Sequence, residues 1–252
     1  MGEAILIGLI ASSALVLGAV AGAYVRAPEH VTGVLLAFAS GALICALTLE
    51  LFADAFELGG ATRSGLGLLA GATVFVLANA WLDSRVAGSA KKEQSDKVET
   101  AAARAAAGPA VGFALLAGVT LDGVPENLAL GASLAGDESV VALLVAIFVS
   151  NLPESLVGAA AMRDSGQPPR FAIAIWTVCA LILAAAVALG RAVLAGASHH
   201  TLAFCLAFAG GAVLASLADT LMPEAFEHGR PWNAFATGLG FFVSFMLAEG
   251  QP

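Results

Sequence analysis

Long apolar segments are the feature that most constrains how this chain folds. Windows of 18 to 25 largely apolar residues follow one another along the sequence, at 4–24, 31–55, 62–82, 110–134, 140–162, 171–194, 201–224 and 232–249. A helix needs about 20 apolar residues to cross a bilayer, and in lipid the backbone must satisfy its own hydrogen bonds. The pattern therefore predicts an all-α membrane protein with eight transmembrane helices, numbered here as spans 1–8.

Composition supports the same class. Of 252 residues, 59% are hydrophobic and 12% are charged, whereas about a quarter of the residues of soluble domains are charged. The net charge of −8 argues against nucleic acid as a partner, because nucleic acids select basic surfaces. We expect membrane lipid as a partner and no nucleic acid. Cys45, Cys179 and Cys205 lie singly in apolar runs, which indicates small buried side chains and not a disulfide or a metal site.

One long polar segment interrupts the apolar pattern, at residues 84–109. It mixes charges of both signs with alanine and ends in Gly-Pro, which predicts a solvated, partly helical or mobile loop. The first apolar window is long, lacks a basic flank and is followed by similar apolar windows. We therefore interpret it as a spanning helix and not a cleaved signal. Residues 1–252 are expected to form a single transmembrane domain.

The basic residues predict an orientation in the cell membrane. With eight spans, Arg63 and Arg191 fall on the side of the two termini, and the other nine Lys and Arg residues fall on the opposite side. Loops that carry the excess of Lys and Arg face the cytoplasm. We therefore expect both termini to be extracytoplasmic and the 84–109 loop to be cytoplasmic.

The sequence also contains an internal repeat. The octapeptide at 36–43 matches 206–213, and the heptapeptide at 54–60 matches 224–230, both at an offset of 170 residues. The matched segments belong to spans 2 and 7, which cross the membrane in opposite directions. This predicts an inverted repeat, spans 1–3 and spans 6–8, around a hairpin of spans 4 and 5, in a 3+2+3 arrangement. Transporters built this way bind their substrate near the midplane.

The hairpin carries acids where an apolar helix should have none. Asp122 and Glu126 are four residues apart, so they share one face of a helix, and Glu154 lies on the partner span. Measured from the hairpin tip, Asp122 and Glu154 differ in depth by only about 3 Å. Asn151 falls close by. Three carboxylates are thus predicted to converge near the middle of the membrane.

Charge at that depth costs several kcal/mol per group, so protons, a cation or both in turn must neutralise it. Pro125 and Pro153 each free a carbonyl oxygen four residues back. With the side-chain oxygens of Asn127 and Asn151, these groups form an oxygen-rich set that suits a cation. The alternative is a pair of polar kinks that only pack spans 4 and 5.

Glu50 and Asp219, late in spans 2 and 7, are candidates for an entrance and an exit or for interfacial solvation.

These stretches resemble the ZIP (Zrt-, Irt-like) metal transporters. The resemblance rests on "DGVPEN" at 122–127, "SNLPES" at 150–155, the eight spans and the long loop after span 3. It implies that Asp122, Glu126, Asn151 and Glu154 bind a metal ion. We expect alternating access to come from the repeats rocking against the 4–5 hairpin. The transported ion is then cargo, and no prosthetic group is expected. A homodimer is the assembly we consider.

The chain departs from the family pattern at ligand positions. Asp122 and Ser150 stand where the family has histidines, and span 6 carries no acid. Zinc prefers nitrogen and sulfur donors, whereas an oxygen-only site suits Mn²⁺, Mg²⁺, Ca²⁺ or Fe²⁺. The resemblance therefore leaves the metal open among zinc, manganese and iron-like ions.

The function expected from this pattern is transport of a divalent metal ion toward the cytoplasm. An intramembrane metalloenzyme would need a separate general base such as HExxH, and the sequence has no such element, so we do not expect an enzyme. The alternative is a ZIP-like membrane protein that binds metal without transporting it, as a sensor or scaffold.

The orientation can be tested by thiol labelling in a background without native cysteines. A cysteine at Ser95 should react with an impermeant reagent only from the cytoplasmic side, and one at Asp137 only from the outside. The opposite pattern would overturn the orientation.

Overall fold

The computed structural model describes residues 1–25, 28–94, 120, 123–134 and 140–249. Every regular element in these ranges is helical, which confirms the predicted all-α class. The elements are α1 Gly2–Tyr24, α2 Glu29–Ala46, the π-helix π1 Leu47–Phe52, α3 Ala53–Gln94, α4 123–133, α5 Val141–Asp164, α6 Pro169–Leu194, α7 His199–Ser216, the π-helix π2 Leu217–Leu221, α8 Met222–Gly229 and α9 Asn233–Glu249.

Within the described residues, five helical stretches are long and apolar enough to cross a membrane: Gly2–Tyr24, Glu29–Trp81, Val141–Asp164, Pro169–Leu194 and His199–Gly229. They make the chain a multi-pass membrane protein. Predicted spans 2 and 3 lie in one 53-residue stretch, and span 8 corresponds to α9, which is a shorter apolar helix. Of span 4, the structure describes little more than α4. The predicted 84–109 loop is helical as far as Gln94.

The long stretch from Glu29 to Trp81 folds back on itself at Gly60. Gly60 has φ 67° and ψ 176°, a conformation that glycine adopts without steric cost. Gly59 before this point packs against Ala203 of α7, and Gly67 after it packs against Phe204, the next residue of α7. In a straight helix the two glycines would be about 12 Å apart. The chain therefore reverses direction here.

The element boundaries repeat at the offset found in the sequence. Helix α2 covers Glu29–Ala46 and α7 covers His199–Ser216, so both ends are displaced by 170 residues. Each helix then passes into a π-helix, which begins at Leu47 in the first copy and at Leu217 in the second. The duplicated sequence thus builds the same local structure twice, including its irregular part.

Small residues allow the two copies to pack closely on each other. Gly41 of α2 lies directly against the backbone of Thr237 in α9, and its equivalent, Gly211 of α7, lies against the backbone of Leu68 in α3. Helix α2 therefore packs on α9, and α7 packs on α3. Small residues at membrane helix interfaces permit this approach of backbones, which maximises dispersion contacts.

Helices α1, α4, α5 and α6 form a second group. Gly22 of α1 lies against the backbone of Leu156 in α5, and Gly190 of α6 lies against the backbone of Leu128 in α4. At the end of α5, the guanidinium of Arg163 donates hydrogen bonds to the carbonyl oxygen of Gly22 at 2.8 Å and to that of Val25 at 3.0 Å. Helix α5 thus packs along α1, and α4 packs along α6.

Gly71 tests the close packing of α3 on α7, because a Cβ there would meet the backbone carbonyl of Phe208. We expect Gly71→Ala to lower the free energy of unfolding by about 1–3 kcal/mol, the usual cost of overpacking. Gly65 is the matched control on the same helix, with open space where its Cβ would be. Gly65→Ala should be neutral or slightly stabilising. Equal melting temperatures for the two variants would contradict the packing described.

Candidate metal site at the α4–α5 hairpin

The second Pro-Glu motif lies within α5, which continues as a helix through Pro153. Proline has no N–H, so it cannot donate the helical hydrogen bond to the carbonyl oxygen of Val149. Glu154, the next residue, is half-buried. The motif therefore places a carboxylate next to a weakened turn of a membrane-embedded helix.

Asn151 is fixed at the interface between α5 and α1. Its side chain is 1% exposed, and its Nδ2 donates to the carbonyl oxygen of Ala11 over 3.5 Å. The Ser155 hydroxyl lies against the carbonyl oxygens of Asn151, at 2.8 Å, and of Ala14, at 3.4 Å. These contacts set the rotation of α5 about its axis, and hence the direction of the Glu154 side chain.

The first motif places two polar side chains of α4 in the interior. Glu126 is 7% exposed and Asn127 is fully buried. The Asn127 Nδ2 donates to the carbonyl oxygen of Gly123 at 2.9 Å, and its Oδ1 has no hydrogen-bond partner among the described residues. A buried acceptor of this kind is costly unless a ligand, an ion or water satisfies it.

Helix α6 brings the two motifs to one surface. Trp176 packs against Gly158 of α5, and Leu183 packs against Gly123 of α4. Cys179 lies between them on the same helical face, within electrostatic range of Glu154 of α5 and next to Thr120. Thr120 and Glu154 of α5 therefore both lie near Cys179 of α6.

Asp122, the remaining predicted ligand, lies outside the described residues. Within the ranges that the structure describes, no group of three or more His, Cys, Asp and Glu side chains is arranged to hold a metal. The set Asp122, Glu126, Asn151 and Glu154 thus stays a prediction. The structure shows three of its members on α4 and α5, with Glu126 and Asn151 buried.

Two acids of the π-helices make contacts that the sequence did not reveal. The Glu50 carboxylate in π1 accepts a hydrogen bond of 2.8 Å from the backbone N–H of Leu143 at the start of α5. Asp219 in π2 accepts one of 2.7 Å from the Asn79 side chain in α3. In the sequence, an acid inside an apolar run marked each residue as unusual. The contact between Glu50 and Leu143, which are 93 residues apart, depends on the tertiary fold.

A polar groove of about 510 Å³ also lies beside the C-terminal end of α5. Its lining includes Glu29, Glu224 and His228, and the His228 Nδ1 lies 3.7 Å from a carboxylate oxygen of Glu29. Glu224 and His228 are four residues apart and share one face of α8. This spacing was visible in the sequence, although its relation to α5 was not.

Comparison with known proteins finds a distant relative. The chain is 27% identical over 227 residues, or 88% of its length, to an Arabidopsis thaliana protein named "Putative zinc transporter". The match covers 34% of that protein, so the chain spans about a third of the length of the curated relative it matches. No family model matches the chain.

The unsatisfied oxygen of Asn127 provides a test of the site. If this oxygen binds metal, Asn127→Ala should reduce the rise in melting temperature that added Zn²⁺ or Mn²⁺ produces, because a ligand stabilises in proportion to its affinity for the folded state. Asn79→Ala, which removes an asparagine remote from the hairpin, is the control and should keep the full metal-induced rise. An unchanged rise in the Asn127 variant would exclude this oxygen as a ligand.

Proposed function

We propose that this protein is a divalent metal ion transporter of the ZIP type that moves its cargo toward the cytoplasm. The observation that carries the proposal is the placement of the two Pro-Glu motifs. Their acids, Glu126 and Glu154, lie on α4 and α5 within an apolar bundle, and α6 packs against both helices beside them. The similarity to a relative named as a zinc transporter supports metal transport in general.

Electrostatics favours a cation as the counterpart of these acids. A buried carboxylate in an apolar bundle is strongly disfavoured unless a proton or a cation neutralises it. The basic side chain of α5, Arg163, lies at the end of the helix, where it contacts Asp164 and the carbonyl oxygens of α1. A mobile cation fits the site better, because its exchange would leave the acids available for the next ion.

The proposal includes eight membrane helices in a 3+2+3 inverted repeat. Its support is the 170-residue offset between α2 and α7 and between π1 and π2, together with the reversals of the chain at Gly60 and after Gly229. The reciprocal packing of α2 on α9 and of α7 on α3 is what a two-fold relation between the copies requires. The expected orientation, with both termini outside, belongs to the same proposal.

The packing suggests which parts move during transport. The sequence favoured repeats that rock against the 4–5 hairpin. That mode stays a prediction. Because α1 and α6 pack along α5 and α4 through glycines such as Gly22 and Gly190, we propose as an alternative that α1, α4, α5 and α6 move together. Helices α2, α3, α7, α8 and α9 would form the opposing body. Relative motion of two rigid groups around a buried site gives alternating access.

The donor set leaves room for zinc and for harder ions. Oxygen donors from Asp122, Glu126, Asn151 and Glu154 suit manganese or iron-like ions, whereas the name of the relative points to zinc. We propose transport of a divalent ion of the zinc, manganese or iron class as cargo, with no prosthetic group and no enzymatic step.

Asp122 is the position where a substitution tests both the site and the family relationship. Asp122→His replaces a hard, charged oxygen donor with a neutral borderline nitrogen donor, and both changes favour zinc over harder ions. We expect the ratio of zinc to manganese affinity to rise, measured by competition binding on the purified protein.

Glu154→Gln provides the matched comparison. It removes a charge without adding a softer donor, so it should weaken the binding of zinc and manganese together and leave their ratio unchanged. If Asp122→His leaves the ratio unchanged and Glu154→Gln leaves both affinities unchanged, the metal does not bind between α4 and α5.

A further inference from the structure

Helix α5 begins without a cap of its own. Its N-cap residue, Val140, provides no side-chain hydrogen bond, although the first N–H groups of a helix have no partner within the helix. The acceptor comes from another helix, because the Glu50 carboxylate of π1 accepts the N–H of Leu143 at 2.8 Å. A carboxylate is the favoured acceptor at this position, since the helix dipole places partial positive charge there.

The contact joins two parts of the fold that otherwise meet mainly through apolar side chains. Glu50 belongs to the helix that packs with α8 and α9, and Leu143 belongs to the group of α1, α4, α5 and α6. Leu47 and Leu51 flank Glu50 in π1 and are buried in the same apolar cluster as Leu143. Apolar contacts have no preferred direction, whereas the hydrogen bond fixes the position of α5 relative to π1.

The link acts on the helix that carries the proposed site. Leu143 lies eight residues before Asn151 and eleven before Glu154, or about 12 Å and 16 Å along α5. Glu50 contacts the start of α5 and is therefore too far from Asn151 and Glu154 to share a metal ion with them. A helix transmits displacement of its first turn along its axis, so Glu50 can set the position of Asn151 and Glu154 without touching the cargo.

Glu50 lies within the π-helix π1. A π-helical turn contains an extra residue, which changes the direction of the side chains that follow, and such turns occur often at functional sites. The equivalent segment π2 carries Asp219, which accepts a hydrogen bond from Asn79 of α3. Asp219 is therefore a natural control for Glu50.

We infer that Glu50 is a positioning residue, a latch whose carboxylate oxygen holds the first turn of α5 against π1 and so fixes the access state of the hairpin site. The latch deepens the proposed transport function, because release of α5 would be part of the movement between the two helix groups. It works through hydrogen-bond acceptance. Glutamine can replace it at this position, whereas alanine cannot.

The test uses the full-length protein in sealed vesicles, without native cysteines and with a cysteine at Ser150. Ser150 is buried on α5, one residue before Asn151. With Glu50→Ala, we expect an impermeant thiol reagent on the side where α5 begins to label this cysteine about tenfold faster. Glu50→Gln should label within about twofold of the parent, because a side-chain oxygen still caps the N–H of Leu143.

The labelling experiment requires no metal, so it separates the latch from the proposed function. Zinc uptake is measured on vesicles of the protein with Ser150 in place, where it should fall about tenfold with Glu50→Ala and stay within about twofold of the parent with Glu50→Gln. If the parent shows no uptake but the labelling pattern holds, the latch stands and the transport proposal fails.

Two results would overturn the latch. Equal labelling rates in the parent, alanine and glutamine variants would show that Glu50 does not hold α5. If the alanine and glutamine variants both label faster than the parent and at the same rate, the charge of Glu50 matters and not its capacity to accept a hydrogen bond. Asp219→Ala should leave Ser150 labelling unchanged, and a tenfold increase there would show that any change at a π-helix loosens the hairpin. If Glu50→Ala does not fold, Glu50→Leu takes its place, because it fills the apolar surroundings and has no oxygen to accept the N–H of Leu143.

Discussion

Burial of carboxylates within apolar helices is the constraint on which the rest of this structure depends. Glu126 is 7% exposed on α4, in a chain with a mean hydropathy of +0.90. The free energy of such a group is high unless a counter-charge is present. A chain with acids at this position must therefore neutralise their charge. A bundle that admits and releases a cation would neutralise it with each ion that binds.

The apolar packing makes this chemistry workable, because it holds the helices at short and repeated distances. Glycines such as Gly22, Gly41 and Gly211 bring backbones into direct contact, so helices pack firmly without a hydrophobic driving force between them. The contacts through these glycines join α1 to α5, α2 to α9 and α7 to α3. The Glu50 carboxylate adds a directional contact between π1 and α5.

Much of the fold followed from sequence patterns that operate over short distances. The boundaries of α1, α5 and α6 lie within two residues of the predicted spans 4–24, 140–162 and 171–194, because apolar length alone determines where a helix can enter lipid. The repeat offset of 170 predicted the correspondence of α2 with α7. It could not predict the π-helices, because an inserted residue in a helix depends on packing around it and not on local propensity.

The site was predictable only in part. The polarity of Asn151 and Glu154 within an apolar span marked them as unusual, and their depth along the helix followed from simple counting. The contact of Glu50 with Leu143 was out of reach, since it depends on how α2 and α5 meet in space. The same is true of the groove that brings Glu29 near His228.

Uptake of radioactive zinc or manganese into sealed vesicles tests the central claim most directly. The account predicts saturable accumulation above that of protein-free vesicles, which is lost when Glu126 and Glu154 are both replaced by glutamine. Metal binding to the purified protein without accumulation in the vesicles would contradict it, and would identify a membrane protein that holds metal without transporting it.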